Sequence, residues 1–175
     1  PAPCSWRAST CSISVDCDGR RQNALPVDLA VGSLMTAAPE PGRLGPTVTF
    51  PGVPVPEVLM YPAAAHVADK VCETASMFGG ERANRPRDLV DLVVLARTQR
   101  FDARALRAAI AGEWIFRGLV GPVTFDPPAT WAAQYAKGAR PVPACEGLTD
   151  LAAASAFVGA FLAPVLCDGP GGTWE

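Results

Sequence analysis

Apolar and polar residues change rhythm along this chain near Tyr61. Before it, short alternating runs are broken by proline and glycine; after it, apolar residues recur at helical spacing. Ile13 to Cys17 alternates, Asp18-Gly19 is a two-residue turn signal, and apolar residues return at Leu25, Val27, Leu29 and Val31. That pattern predicts a β-hairpin over 12–31. Pro26 places the return strand at an edge or at a bulge. The Pro- and Gly-rich stretch 32–58 reads as a loop with a short strand around Val48–Phe50.

Five helices are expected after Tyr61. The first covers roughly Ala63–Phe78 and is ended by Gly79-Gly80; the second runs about Arg87–Thr98. Asp102 is the expected N-cap of a third, Ala103–Arg117, with Leu106, Ile110 and Trp114 on one face and Gly118 as its stop. Asp126-Pro127 opens a fourth that carries Trp131 and Tyr135 and ends at Gly138. Thr149 is the expected cap of the fifth, with Leu151, Val158, Phe161, Leu162 and Val165 toward the core; Asp168–Gly172 reads as loop. The organisation is therefore α+β: a β-rich segment over 1–60 and a helical domain over 61–175.

Composition narrows the function classes. The 175 residues are 49% hydrophobic and carry a net charge of −2, which suits a folded domain and excludes a strongly basic nucleic-acid module. The first residue is Pro1, so the chain reads as a fragment or as an uncertain gene start. The six cysteines form no C-x-x-C and His66 is the only histidine, which argues against structural zinc. Cys11, Ile13, Val15 and Cys17 share one parity and should line an apolar face as buried thiols, in keeping with a reducing cytoplasm. Residues 151–167 carry no charge, but the run is rich in alanine, contains Pro164 and is flanked by Asp150 and Asp168, so a buried helix is expected rather than a membrane span.

The candidate chemistry sits between residues 66 and 91. The run Asp88-Leu89-Val90-Asp91-Leu92-Val93-Val94-Leu95-Ala96 is apolar apart from two aspartates three apart, which share a helix face. Carboxylates in so apolar a helix need a cation, and Lys70, one of two lysines, stands on the preceding helix. A Lys70–Asp91 or Lys70–Asp88 pair follows. Such a pair serves equally as a clamp between two helices or as a positioned lysine for a polyphosphate. Asp28 projects from the return strand opposite its apolar positions, where it is either solvated or one of the carboxylates that metal-assisted phosphoryl transfer uses. His66 lies one turn before Lys70. Seven arginines against three aspartates between residues 82 and 107 form a basic zone that suits either an RNA backbone or a solvated helix surface.

Tyr61-Pro62…His66-Val67-Ala68-Asp69-Lys70-Val71-Cys72, followed by Arg85-Pro86-Arg87-Asp88-Leu89-Val90-Asp91-Leu92, resembles the AbiEii/AbiGii toxin family of nucleotidyltransferases. Arg117-Gly118, Pro128…Trp131…Tyr135, Phe161-Leu162-Ala163-Pro164-Val165-Leu166 and Gly172-Thr173-Trp174 agree with it. The resemblance implies a toxin of a bacterial toxin–antitoxin pair with a polymerase β-like nucleotidyltransferase fold, its sheet represented here by the hairpin. It also implies NTP and Mg²⁺, an acceptor such as the tRNA 3′ end, and a cognate antitoxin, with no membrane or DNA partner. By position, Lys70 would contact the nucleotide phosphates and Asp91 would stand beside it as the helical aspartate. Arg87 and Asp88 would support that contact, and Asp28 would bind metal.

One element of the family pattern is absent. No G-S-…-D-x-D precedes the hairpin, and Asp16-Cys17-Asp18 falls on the expected turn. The chain as given is thus expected to be truncated at its N-terminal side and short of full catalytic power. The alternative reading is a non-catalytic remnant, or a helical module that binds RNA or a partner.

Overall fold

The computed structural model of the chain describes residues 7–32, 34–43, 51–52, 54–166 and 173–174. It is α+β: among the described residues, five α-helices and a set of small antiparallel strand pairs. The chain divides into two compact units, Pro1–Leu34 and Met35–Glu175.

The first unit is a long hairpin. β1 (Arg7–Ile13) pairs with β4 (Leu25–Val31), and a narrower tip is formed by β2 (Asp16–Cys17) and β3 (Arg20–Arg21). Asp18 and Gly19 both take positive φ, 52° and 71°, as a two-residue type I′ turn requires. The hairpin is therefore present where the alternation places it, although it starts earlier, at Arg7. Pro26 faces Ser12 in an unbroken register, so it occupies an edge strand without a bulge.

The expectation for the cysteines here is overturned. Cys11 and Cys17 are exposed free thiols, and Ile13 and Val15 are 49% and 38% exposed. Ser14 and Val15 interrupt the strand, so the shared parity does not become one continuous face. A two-stranded sheet also has no layer of its own to cover either side.

The second unit opens with another hairpin, β5 (Glu40–Arg43) against β6 (Glu57–Met60), in a stretch whose composition suggested loop. Prolines and glycines obscure its alternation. The expected strand at Val48–Phe50 and the expected loop at Asp168–Gly172 lie outside the described residues.

Then come α1 (Ala63–Ala75), a miniature hairpin of β7 (Met77–Phe78) and β8 (Glu81–Arg82), and α2 (Pro86–Thr98). They are followed by β9 (Phe101–Asp102), α3 (Ala103–Phe116), α4 (Ala132–Ala139), α5 (Leu151–Leu166) and β10 (Thr173–Trp174), which pairs with β9.

The helix ends show what local chemistry decides. α1 stops short of Phe78 because Ser76 turns extended, its hydroxyl donating to the Cys72 carbonyl at 2.9 Å and its N–H to that of Glu73. Gly79 and Gly80, at φ 61° and 89°, then close the β7–β8 turn instead of a helix. Pro86 occupies the first turn of α2, where its missing N–H costs nothing. Asp102 caps α3 by accepting from the Ala105 N–H at 2.7 Å. α4 begins later than expected, after a 3₁₀ turn at Ala129–Trp131: Pro128 is extended, at φ −61° and ψ 136°, and Asp126 is engaged by Arg82. Asp150, not Thr149, caps α5, accepting from Ala152 and Ala153.

The core lies among these helices. Leu89, Leu92 and Val93 of α2, Leu106 and Ile110 of α3, Trp131, Tyr135 of α4, and Val158 and Leu162 of α5 are almost fully buried. Each such side chain contributes roughly 1.5–3 kcal/mol of transfer free energy. α1 packs chiefly on α3, and α2 on α4 and α5. Among the described residues, no helix is long and apolar enough to cross a membrane.

Candidate functional site

α1 is built with two faces. Val67, Ala68, Val71 and Cys72 go to the core, while His66, Asp69, Lys70 and Glu73, spaced three and four apart, form a charged stripe on the other side. Two of these, Lys70 and Glu73, are nevertheless buried, each 6% exposed, because α2 and α3 bring opposite charges over the stripe.

Lys70 pairs with both candidate aspartates. Its Nζ lies 3.0 Å from Asp88 Oδ1 and 2.6 Å from Asp91 Oδ2. The two carboxylates differ in setting: the Asp88 side chain is 5% exposed, that of Asp91 48%. The second oxygen of Asp88 is taken by Arg85 Nε at 2.8 Å, and Arg85 also reaches Glu73 at 3.7 Å. Asp88 is thus fixed on both oxygens, and Asp91 stands at the solvent edge. Burial by itself would lower the pKa of the Lys70 ammonium, but hydrogen bonds and charge from Asp91 and Asp88 outweigh it and raise the pKa above its ordinary value. Lys70 is a cation at any physiological pH. Beside it, burial and the Lys70 charge lower the pKa of His66, which favours a neutral ring.

A second cation closes the other end of the stripe. Arg117, just past α3, is hydrogen-bonded to Glu113 at 2.7 Å, to Ser76 at 3.3 Å, and to Glu73 and Asp69 of α1. Spacing along the chain did not single out this cluster. The signals available were the i,i+4 pairs Asp69–Glu73 and Glu113–Arg117, which cannot show that the two helices face each other.

Two candidates remain, Arg87 and Asp28. Arg87 is exposed and makes no ion pair among the described residues. Asp28 belongs to the hairpin unit, where its Oδ1 accepts from the Thr10 hydroxyl at 2.7 Å. Much of the expected basic zone is committed to the fold: Arg82 holds Asp126 and the Thr74 carbonyl, Arg97 the Ala144 and Glu146 carbonyls, and Arg107 the Pro164 carbonyl. Of the buried thiols, Cys72 has its pKa pushed up to about 12 by burial, which favours the protonated thiol.

Mg²⁺ needs several hard oxygen ligands in near-octahedral geometry. Among the described residues, no group of three or more His, Cys, Asp or Glu is placed to hold a metal ion. Both oxygens of Asp88 are occupied by cations, and one oxygen each of Asp91 and Asp28 is already engaged. The described residues do not by themselves form a Mg²⁺ site.

The candidate site is thus a buried lysine paired with two carboxylates, one buried and one facing solvent. Residues 4–155 match the family model for the nucleotidyl transferase AbiEii toxin of the type IV toxin–antitoxin system. The chain belongs to that family, which implies an NTP substrate and an antitoxin partner. No curated protein matches the chain.

Proposed function

We propose that Lys70 receives the triphosphate of an NTP and that Asp91 orients it, in a toxin that transfers a nucleotide to an RNA acceptor such as the tRNA 3′ end. The observation that carries this reading is the donor count at Lys70. An ammonium has three N–H donors; Asp88 and Asp91 accept from two, leaving one for a phosphate oxygen. Asp88, neutralised also by Arg85, keeps the ammonium in place, and half-exposed Asp91 orients it from the solvent edge.

In the reaction so read, the acceptor 3′-hydroxyl attacks the α-phosphorus in line. The new P–O bond forms as the bond to the β-phosphate oxygen breaks, and pyrophosphate leaves. Lys70 offsets the negative charge on the phosphates. Arg87 and Asp88 support the phosphate contact in this reading. Asp28 is its metal carboxylate, an assignment that rests on family resemblance. In this reading the toxin acts in the cytoplasm.

Binding by Lys70 needs no metal carboxylates, so it is tested first. Calorimetric titration with inorganic tripolyphosphate should give binding that Lys70→Met abolishes while the helical circular dichroism persists. Transfer of label from α-labelled NTP to total tRNA with Mg²⁺ tests the rest, and any transfer should vanish in the same variant. Transfer indifferent to Lys70→Met would overturn the role given to Lys70. A variant that loses its helices instead would favour the purely structural clamp.

A further inference from the structure

Two aromatic side chains at the entrance to α1 have no part in the chemistry above. Tyr61 stands between β6 and α1, and His66 lies on the charged stripe one turn before Lys70. At the rise of an α-helix His66 and Lys70 are about 6 Å apart along the axis. The Tyr61 and His66 rings meet edge to face, with centroids 5.9 Å apart and planes at 81°. In such a pair only one ring gives up a face, so each retains at least one face that the other does not cover.

Both residues are exposed, Tyr61 at 39%. By contrast, Phe101, Trp114, Trp131 and Tyr135 are buried in the core. Tyr61 and His66 are also electrically continuous with the ionic site: Lys70, Asp91, Asp69 and Asp88 act on His66, and Asp69, Glu113 and Arg117 act on Tyr61. An exposed aromatic pair adjoining a buried cation joins the two chemistries that a nucleotide presents, a flat π-surface and a chain of anions.

We propose that Tyr61 and His66 form a stacking shelf for the base of the nucleotide whose phosphates Lys70 holds. The proposal rests on the triphosphate reading of Lys70. A shelf of this kind engages the face of a base rather than its hydrogen-bonding edge, and so tolerates different bases. A neutral imidazole serves it without adding a second cation beside Lys70.

Comparing ATP with inorganic tripolyphosphate, each titrated into the 175-residue chain, separates base from phosphate. Lys70→Met should weaken both ligands. Tyr61→Ala and His66→Ala should each weaken ATP about tenfold and leave tripolyphosphate unchanged. Tyr61→Phe, which keeps the ring, should restore most of what alanine loses. If the alanine variants leave ATP binding unchanged, or weaken both ligands equally, while Lys70 still governs tripolyphosphate, the shelf is wrong and the triphosphate reading stands. If Lys70→Met leaves tripolyphosphate binding unchanged, both readings fall.

Discussion

Lys70 lies on the charged stripe of α1 and Arg117 is set against it, yet the fold treats the two cations differently. Arg117 is met by Glu113 of its own helix and by Glu73 and Asp69 of α1, and Ser76 takes a further bond. Its planar fork suits several carboxylates at once, and the result is a clamp between α1 and α3. Lys70 is a point charge with two carboxylate partners, one locked and one facing water. The difference teaches that burial of a cation does not by itself mark a functional site. What separates the two is the partner set: Arg117 is shared among Glu113, Glu73, Asp69 and Ser76, and Lys70 between Asp88 and Asp91.

The comparison can be broken in order of expected effect. Arg117→Met should be the most destabilising change, by about 3 kcal/mol or more in urea unfolding, because Glu113 is left buried without its cation and Glu73 keeps only Arg85, 3.7 Å away. Loss of under about 1 kcal/mol would show that the clamp is not what joins α1 to α3. Lys70→Met should cost less, about 1–2 kcal/mol, since Arg85 still serves Asp88, yet it should remove triphosphate binding altogether.

Asp91→Asn sharpens the contrast further. Its half-exposed pair should contribute at most about 1 kcal/mol to stability. Losing the carboxylate that orients Lys70 should weaken tripolyphosphate binding about fivefold. Tighter binding instead would mean that Asp91 competes for the ammonium and does not orient it.

The smallest effect is a pH dependence. His66 has a pKa below its ordinary 6.5 in the folded chain, through burial and the Lys70 charge, so the folded state binds fewer protons there than the unfolded state. The stability this contributes is complete above pH 6.5 and is lost as the pH falls through the folded value. Between about pH 7.5 and pH 5, the wild-type Tm should fall about 1 °C more than that of His66→Gln. An equal fall in the two proteins would remove His66 from the electrostatic site.

The parts legible in the sequence were those set by neighbours along the chain. The Asp18-Gly19 turn, the Asp102 cap and the apolar face of α5 are all short-range devices. The pairing of Lys70 with the α2 aspartates was legible too, because an apolar helix cannot carry two carboxylates without a cation and few cations are near. The early end of α1 was not, since a Gly-Gly pair stops a helix and turns a hairpin equally well. The exposed cysteines were misjudged because alternation predicts a face but says nothing about what covers it.

By itself, then, the sequence determined the α+β class, the helices, the family and the need of Asp88 and Asp91 for Lys70. Only the tertiary structure decided which carboxylate is locked and which meets water, that Arg117 closes over the stripe, and that Arg82, Arg97 and Arg107 serve the fold. The reason is physical: caps, turns and periodicity are written within a few residues, whereas exposure and ion pairing between helices arise only when separate faces pack together.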